Sequence, residues 1–220
     1  MVSGIIWLMR RSAFVAGEYF HIYNRGVEKR DIFSDRNDIF RFRQSMIEFN
    51  CIDPIGSLYE NSFISAKGKR KNAKLVDVIA YCLNQNHYHF ILQNLEPNGI
   101  SEFMKRVGGG YTNYFNSKYK RSGVLFQGKF KSIHINSNRY LLYLSAYVNL
   151  NYKIHKKENG LWLSSWQEFI SNSKEPLRNK SIILDQFKNS EEYKIFAEEC
   201  LLDMIERKER FKEMEGLLFE

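Results

Sequence analysis

Two apolar runs separated by three polar residues constrain the fold of this chain more than any other feature. The runs "LVDVIAYCL" (75–83) and "HYHFILQNL" (87–95) are rich in β-branched and aromatic residues, and "NQN" lies between them. A polar connection this short joins two neighbouring antiparallel strands. The sequence therefore predicts a β-hairpin at the centre of the fold.

The elements around this hairpin predict the fold class. "EYFHIYNRG" (18–26) is typical of an aromatic-rich strand that ends at a glycine turn, and residues 34–49 have the apolar spacing of a helix with Ser34 as its cap. Residues 123–135 are predicted to be extended or a β-ribbon, and residues 138–154 form an apolar helical pattern. This order indicates an α+β protein, with a ferredoxin-like antiparallel sheet and helices on one of its faces.

A triple glycine interrupts another predicted helix. "ISEFMKRV" has helical character and "YTNYFNSKY" resumes it, but residues 108–110 are all glycine. Because glycine is a poor helix former, we expect this tract to weaken or break the helix.

Charge is unevenly distributed along the chain, whose net charge is +8. Residues 103–157 carry eleven Lys or Arg and no acid, whereas residues 191–220 carry ten acids and five bases. A basic segment favours a polyanionic partner, since neutralising phosphates releases condensed counterions. A solvated basic face is the simpler alternative. The acidic end predicts a separate element, so we divide the chain into a main domain at 1–170 and a charged helical extension at 171–220.

Cysteine usage and hydropathy exclude several classes of protein. The three cysteines, Cys51, Cys82 and Cys200, are odd in number and irregularly spaced, which indicates neither a disulfide framework nor a thiolate zinc site. "GIIWLMRR" near the start is too short for a membrane span or a signal segment. We therefore expect a cytoplasmic protein with no membrane partner.

The hairpin carries a pair of histidines, His87 and His89, on either side of Tyr88. Strand residues two apart point to the same face, so both imidazoles should project side by side. Neutral imidazoles are good ligands for Mn²⁺ and Zn²⁺, but two side chains are too few to hold a metal. The alternative is two unrelated core histidines with separate partners.

The apolar helix offers candidates to complete such a site. Tyr147 and Asn151 are four residues apart and share a helix face. An amide oxygen from Asn151 could complete a metal shell, and the Tyr147 hydroxyl could attack a phosphorus whose oxygens the metal polarises. Tyrosines in apolar helices are more often core residues, so the pattern leaves both interpretations open.

Several stretches in the same order resemble a known family. They are "YFHIYNRGVEKRDIF", "AYCLNQNHYHFIL", "YTNYFNSKYKRSGVLFQGKFKS", "YLLYLSAYVNLN" and "LWLSSWQEF". Together they resemble the single-tyrosine HUH transposases, most closely the REP-associated tyrosine transposases, over roughly residues 18–170. The family usually continues the motif of the tyrosine helix as "LNPV", where this chain has "LNYKI".

The resemblance implies a role for each residue of the candidate site. His87-Tyr88-His89 is the HUH motif, with both histidines as ligands of Mg²⁺ or Mn²⁺, and Asn151 stands at the position of a polar third ligand. Tyr147 is the nucleophile and forms a 5′-phosphotyrosine link. The implied partner is single-stranded or hairpin DNA, bound by a monomer or a homodimer.

Other tyrosines compete with Tyr147 for the role of nucleophile. Tyr140 and Tyr143 lie in the same predicted helix, and others precede it, but only Tyr147 has an asparagine four residues later in the matching context. His21, on the first strand, is expected to be a satisfied core histidine.

The segment 105–131 interleaves cations with aromatic residues, which is the pattern of a surface that tracks a phosphate backbone and stacks on bases. Arg25, at the end of the first strand, is a further candidate for a phosphate contact. The candidates for DNA binding are Arg25, Lys105, Arg106, Tyr111, Tyr114, Lys120, Arg121, Phe126, Lys129 and Lys131.

Three functional hypotheses follow from the sequence. The first is metal-dependent, transposase-type cleavage and rejoining of DNA. The second is a catalytically inactive or domesticated module of the same fold that binds single-stranded nucleic acid. The third, a regulator acting through the acidic C-terminal helices, has only charge composition in its favour.

Overall fold

The computed structural model describes residues 14–63, 73–154, 160–171 and 179–217, so the apolar stretch near the start lies outside the described residues. A five-stranded sheet has the order β4-β1-β3-β2-β5, and each neighbouring pair is antiparallel. Its strands are β1 (Tyr19–Arg25), β2 (Val76–Asn84), β3 (His87–Asn94), β4 (Lys131–His134) and β5 (Trp162–Ser164). The predicted hairpin is confirmed as β2 and β3, joined by the two-residue turn at 85–86.

Helices surround this sheet. They are α1 (Arg36–Glu48), α2 (Leu58–Ser62), α3 (Gly99–Lys118), α4 (Asn138–Asn149), α5 (Asn151–Ile154), α6 (Trp166–Ile170), α7 (Ser181–Leu184) and α8 (Ser190–Leu217). The N-cap of α1 is Asp35 rather than Ser34, because the Asp35 carboxylate accepts from the Asp38 amide in a capping box.

The predicted α+β class and antiparallel sheet are confirmed, but helices cover both faces of the sheet and not one. Phe20 and Phe90 point toward α1 and α3 in one core, while Cys82 and Ile91 point toward α4 and α8 in a second. The two central strands are therefore buried on both sides. This explains why β2 has a continuous apolar run where a one-sided sheet would show alternation.

The triple glycine does not break α3, contrary to the expectation from helix propensity. The helix continues through Gly108, Gly109 and Gly110 to Lys118. A Cβ added to Gly110 would lie 2.8 Å from Cε2 of Phe49, so this glycine allows α3 to approach the end of α1. Burial of residues on either side of the tract outweighs the weak propensity of the glycines.

The predicted helix at 138–154 is two helices. α4 ends at Asn149, its C-cap Leu150 has a φ of −108° and a ψ of 13° that depart from helical values, and α5 begins at Asn151. The break redirects the backbone immediately before the candidate metal ligand.

α8 packs against α4 and is continuous with the second core. Tyr193 and Ala197 of α8 are fully buried there. The division of the chain at residue 170 stays a prediction. None of the described helices is long and apolar enough to cross a membrane.

A buried carboxylate joins α1 to the end of α3. Asp38 has no exposed side-chain surface, and its oxygens accept from Lys118 Nζ at 2.7 Å and from the Tyr119 hydroxyl at 2.7 Å. Lys118 also contacts Asp35 at 2.7 Å. Lys118 therefore neutralises the carboxylate of Asp38, which is fully buried, whereas the Asp35 carboxylate is partly exposed to water.

We predict that Lys118→Met destabilises the protein by about 2 kcal/mol, because it leaves the Asp38 charge buried with only neutral donors. Urea unfolding followed by circular dichroism measures the change. Lys105→Met is the matched control, since the Lys105 pair with Glu102 is largely exposed and should contribute less than about 0.5 kcal/mol. Equal stability of the two variants would contradict this account of Asp38.

Candidate active site

The histidine pair lies on the sheet face that α4 covers. His87 and His89 project from β3, and Tyr23 of β1 is paired with His89. Tyr147 of α4 stands over them, with its ring centroid 5.3 Å from that of His89 at an interplanar angle of 82°. The tyrosine predicted to be catalytic therefore lies over the histidines of its own chain.

Hydrogen bonds determine which nitrogen of His87 faces the site. Nδ1 lies 2.7 Å from Oδ1 of Asn86, whose own Nδ2 donates to the carbonyl of Lys29 at 3.2 Å. Because Asn86 Oδ1 must accept, His87 Nδ1 carries the proton. The lone pair is then on Nε2, the atom that faces Asn151 at 3.1 Å.

His89 has a comparable partner in His21. His89 Nδ1 and His21 Nε2 are 2.9 Å apart in a buried contact. Burial lowers the pKa of His21 to about 4, so this ring is neutral near pH 7 and can accept a hydrogen bond. When His89 donates from Nδ1, its Nε2 carries the lone pair, which is the tautomer expected of a metal ligand. His21 is a buried histidine, as expected, and it also supports the site.

Asn151 is placed beside His87 by the break between α4 and α5. Its Oδ1 accepts from Asn84 Nδ2 at 2.9 Å, and the same Asn84 nitrogen lies 3.1 Å from His87 Nε2. The Asn151 Nδ2 is buried and has no hydrogen-bond partner among the described residues. Two lone-pair atoms thus face one another, with the Asn84 amide as their shared donor.

These atoms fit a divalent metal. Two ligands at right angles and about 2.1 Å from an ion are about 3 Å apart, which is close to the 3.1 Å between His87 Nε2 and Asn151 Oδ1. Among the described residues, no group of three or more His, Cys, Asp or Glu side chains is arranged to hold a metal ion. The available donor set is therefore two imidazoles and one neutral amide.

Tyr147 is a neutral phenol in this environment. Burial raises its pKa above the usual value of 10.0, while the nearby Asn151 amide acts in the opposite direction. A protonated phenol is a weak nucleophile, so attack requires a nearby positive charge to favour the phenolate.

The competing tyrosines of α4 have other surroundings. Tyr143 faces α8, where burial and the Asp203 carboxylate raise its pKa. Tyr140 lines a groove between α4 and α8. Tyr147 has ring contacts with both His21 and His89.

Cations border the histidine pair. A groove of about 480 Å³ beside His87 and His89 has Arg25, Lys29 and Lys131 in its wall, and none of the described residues that line it is acidic. The Lys131 Nζ lies 6.0 Å above the Tyr23 ring. Two of the predicted DNA-binding residues, Arg25 and Lys131, are thus placed at the candidate site.

A second, larger groove of about 900 Å³ lies between α3 and the chain around residues 124–132. Lys105, Phe126 and Lys129 line it, together with Gly108 and Gly109. A Cβ added to either glycine would meet no other atom within 4 Å, so the groove is open there. Within the part of the chain that the structure describes, no acidic residue lines this groove. Asn24 lines both grooves, which places them at the same end of β1.

The remaining predicted DNA-binding residues have mainly internal contacts or lie elsewhere. Tyr111 is fully buried and donates to the Ile32 carbonyl, so the prediction that it stacks on a base is wrong. Arg106 pairs with Glu102 at 2.8 Å and donates to the backbone of residues 51–52, and Arg121 donates to the Val124 carbonyl.

Tyr114 and Lys120 are the last two of the predicted DNA-binding residues. The Tyr114 hydroxyl donates to Asp38 at 3.2 Å, which ties this half-buried ring to the α1–α3 contact. Lys120 is exposed just beyond the end of α3, with a positive φ of 50°. It lines neither groove.

Sequence reasoning did not identify Asn84, Asn86 and Tyr23 as site residues. Asn84 is the last residue of β2 and Asn86 is the turn residue directly before His87. Tyr23 is two residues from His21, so it shares that face of β1. Polar turn residues beside a histidine pair were therefore an available signal.

The resemblance predicted from the sequence is confirmed by a family model. Residues 57–151 match the model described as "Transposase IS200 like", and this stretch includes the histidine pair, Tyr147 and Asn151. The match supports a transposase-type function.

A solved structure described as a REP-associated tyrosine transposase bound to a REP hairpin is similar to this chain. The TM-score is 0.51 at 12% sequence identity, over 77% of this chain and 88% of that chain. At this identity the likeness shows the shared fold. No curated protein matches the chain.

Proposed function

We propose that this protein cleaves and rejoins single-stranded or hairpin DNA through a covalent link to Tyr147. The observation that carries the proposal is the position of Tyr147 over His89, with Asn151 beside His87. One chain can supply all four side chains, so the proposed site can form in a monomer or within each subunit of a homodimer.

Tyr147 Oη would attack a phosphodiester phosphorus and lose its proton. The bond between phosphorus and the 3′ oxygen breaks, and that oxygen leaves as a 3′-OH after taking up a proton. A 5′-phosphotyrosine ester remains, so a later 3′-OH can reverse the step without ATP. Little is required of the protein beyond positioning and neutralisation of charge.

His87 Nε2, His89 Nε2 and Asn151 Oδ1 are the atoms that would hold Mg²⁺ or Mn²⁺. A bound divalent ion supplies positive charge that polarises the phosphodiester and favours the tyrosinate. Asn86 and His21 would hold the two imidazoles in the tautomer that presents Nε2. These partners have the role that outer hydrogen bonds have at metal sites.

The two basic grooves are the proposed path of the DNA. Arg25, Lys29 and Lys131 would neutralise phosphates near the cleaved bond, and the larger groove would take an unpaired base between its aromatic and lysine side chains. Asn24 lines both grooves, so one strand passing the end of β1 can occupy both.

The nucleophile can be tested with hairpin DNA labelled at its 3′ end. The wild-type protein with Mn²⁺ should give a covalent adduct on a denaturing gel, and Tyr147→Phe should give none because it removes the hydroxyl that α4 places over His89. Tyr143→Phe, on the α8 side of the same helix, should retain the adduct. An adduct in Tyr147→Phe would assign the attack to another tyrosine.

The same experiment separates the enzyme from a binding module. DNA binding that persists with no adduct from the wild-type protein at any metal concentration would support the non-catalytic hypothesis.

Substitutions at Asn151 test the metal ligand set by calorimetry with Mn²⁺ alone. Asn151→Asp should raise the affinity of the free protein about tenfold or more, since a carboxylate adds Coulomb attraction. It should also slow cleavage, because its negative charge opposes both phosphate and tyrosinate. Asn151→Ala should weaken binding. Unchanged affinity and cleavage in Asn151→Ala would make Asn151 a packing residue.

Filling the larger groove tests the path of the DNA. Gly108→Leu should fold, because leucine favours the helix over glycine by about 1 kcal/mol and its Cβ has open space. It should weaken binding of a hairpin with single-stranded flanks about tenfold, by displacing a base whose stacking is worth about 1–3 kcal/mol. Ser117→Leu, at an exposed position of α3 outside this groove, is the control. Equal affinities in fluorescence anisotropy would contradict this path.

A further inference from the structure

The C-terminal helix α8 inserts a tyrosine hydroxyl into the core beneath α4. Tyr193 has no exposed surface, and its ring packs among aromatic residues that include Phe169 at 5.1 Å and Phe187 at 5.3 Å between centroids. Its hydroxyl accepts from Asn149 Nδ2 at 2.8 Å and lies 3.1 Å from Ser145 Oγ. Because Ser145 already donates to the Leu142 carbonyl at 2.7 Å, Tyr193 is the donor to Ser145.

This hydrogen-bond chain continues to the central sheet. Asn149 Oδ1 accepts from Ser165 Oγ, and the same Ser165 oxygen accepts from the backbone amide of Tyr81 in β2 at 2.9 Å. Asn149 and Ser165 are fully buried. A continuous buried polar network therefore connects α8, α4 and β2.

The network binds α4 through the side of the helix opposite to Tyr147, the candidate nucleophile. Ser145 and Asn149 are four residues apart and share one face, whereas Tyr147 lies midway between them and about 200° around the helix. Tyr147 contacts His21 and His89 on the sheet, while Ser145 and Asn149 contact Tyr193. Rotation of α4 about its axis would have to break the network.

Small rotations of α4 would change the position of Tyr147 and hence the rate of the proposed reaction. A side-chain tip about 6 Å from the helix axis moves by about 1 Å when the helix turns by about 10°. A misplacement of about 1 Å can cost a reaction about 100-fold in rate. A polar network with defined bond directions fixes this angle more strictly than apolar packing does, because unpaired buried groups are costly.

α8 also holds the helix that carries Asn151. Lys208 Nζ donates to the carbonyl of Ile154, the last residue of α5, at 2.8 Å. α8 thus contacts both α4, which bears Tyr147, and α5, which bears Asn151.

We propose that Tyr193 of α8 is a positioning residue, whose hydroxyl sets the rotation of α4 and hence the position of Tyr147. This inference rests on the proposed function and assigns the C-terminal segment a role in it. The regulator hypothesis for that segment treats α8 as available to a protein partner, whereas this inference uses its buried face within the chain.

Tyr193→Phe removes the hydroxyl and keeps the ring. In single-turnover assays with excess protein, well below the unfolding temperature, it should lower the rate of adduct formation at least tenfold. The affinities for Mn²⁺ and for hairpin DNA should stay within twofold of the wild type, because no ligand or groove residue is changed.

Leu201→Ala is the control for lost stability. Leu201 lies in α8 and in the same core, and its truncation weakens packing without touching the hydrogen-bond network. It should keep the rate within twofold of the wild type under the same conditions. A wild-type rate in Tyr193→Phe, or an equal loss of rate in both variants, would overturn the proposal.

A second measurement does not depend on DNA cleavage. With 3-fluorotyrosine incorporated, the ¹⁹F resonance of Tyr147 is assigned by its absence in Tyr147→Phe. Tyr193→Phe should shift or broaden this resonance, and Leu201→Ala should leave it unchanged. An unshifted resonance would overturn the positioning role even if the adduct forms. A shifted resonance without any wild-type adduct would support the positioning contact while the proposed function fails.

Discussion

The pleat of β3 is the constraint on which the candidate site depends. Consecutive side chains of a strand point to opposite faces, so Tyr88 enters the core beneath α1 and α3 while His87 and His89 face α4. The turn at 85–86 fixes the register, and with it the pairing of Asn84 with His87. A slip of one residue would bury both imidazoles in the wrong core and place Tyr88 beneath Tyr147.

A site on one face of the sheet needs a helix held at a fixed height and angle above it. α4 is long enough to cover β2 and β3, and its apolar residues alone would allow it to slide or rotate. The buried polar groups of Asn149 and Ser165 remove that freedom, because they are satisfied in only one arrangement. The break at Leu150 then places Asn151 on a separate short helix, where its amide reaches His87.

Local sequence patterns predicted the candidate site residues but not the distant side chains that hydrogen-bond to them. The same-face histidines follow from strand periodicity, and the spacing of Tyr147 and Asn151 follows from helix periodicity; both depend only on neighbours in sequence. The contact between His89 and His21 spans 68 residues, and no local pattern specifies which distant side chain will meet an imidazole. For the same reason the burial of Tyr111 and the survival of α3 through its glycines could not be predicted, since tertiary packing decided both.

In the proposed mechanism, the charges around the site make metal binding and DNA binding depend on each other. Two imidazoles and an amide leave the full positive charge of an ion uncompensated, and Arg25, Lys29 and Lys131 in the adjoining groove add further positive charge. These cations oppose a metal in the free protein and attract a phosphodiester. A phosphate that reaches the site supplies the negative charge that the protein ligands lack, so it would bind the ion and the cations together. In the proposed site, a carboxylate at position 151 would strengthen metal binding but repel the substrate, which gives a physical reason for an amide there.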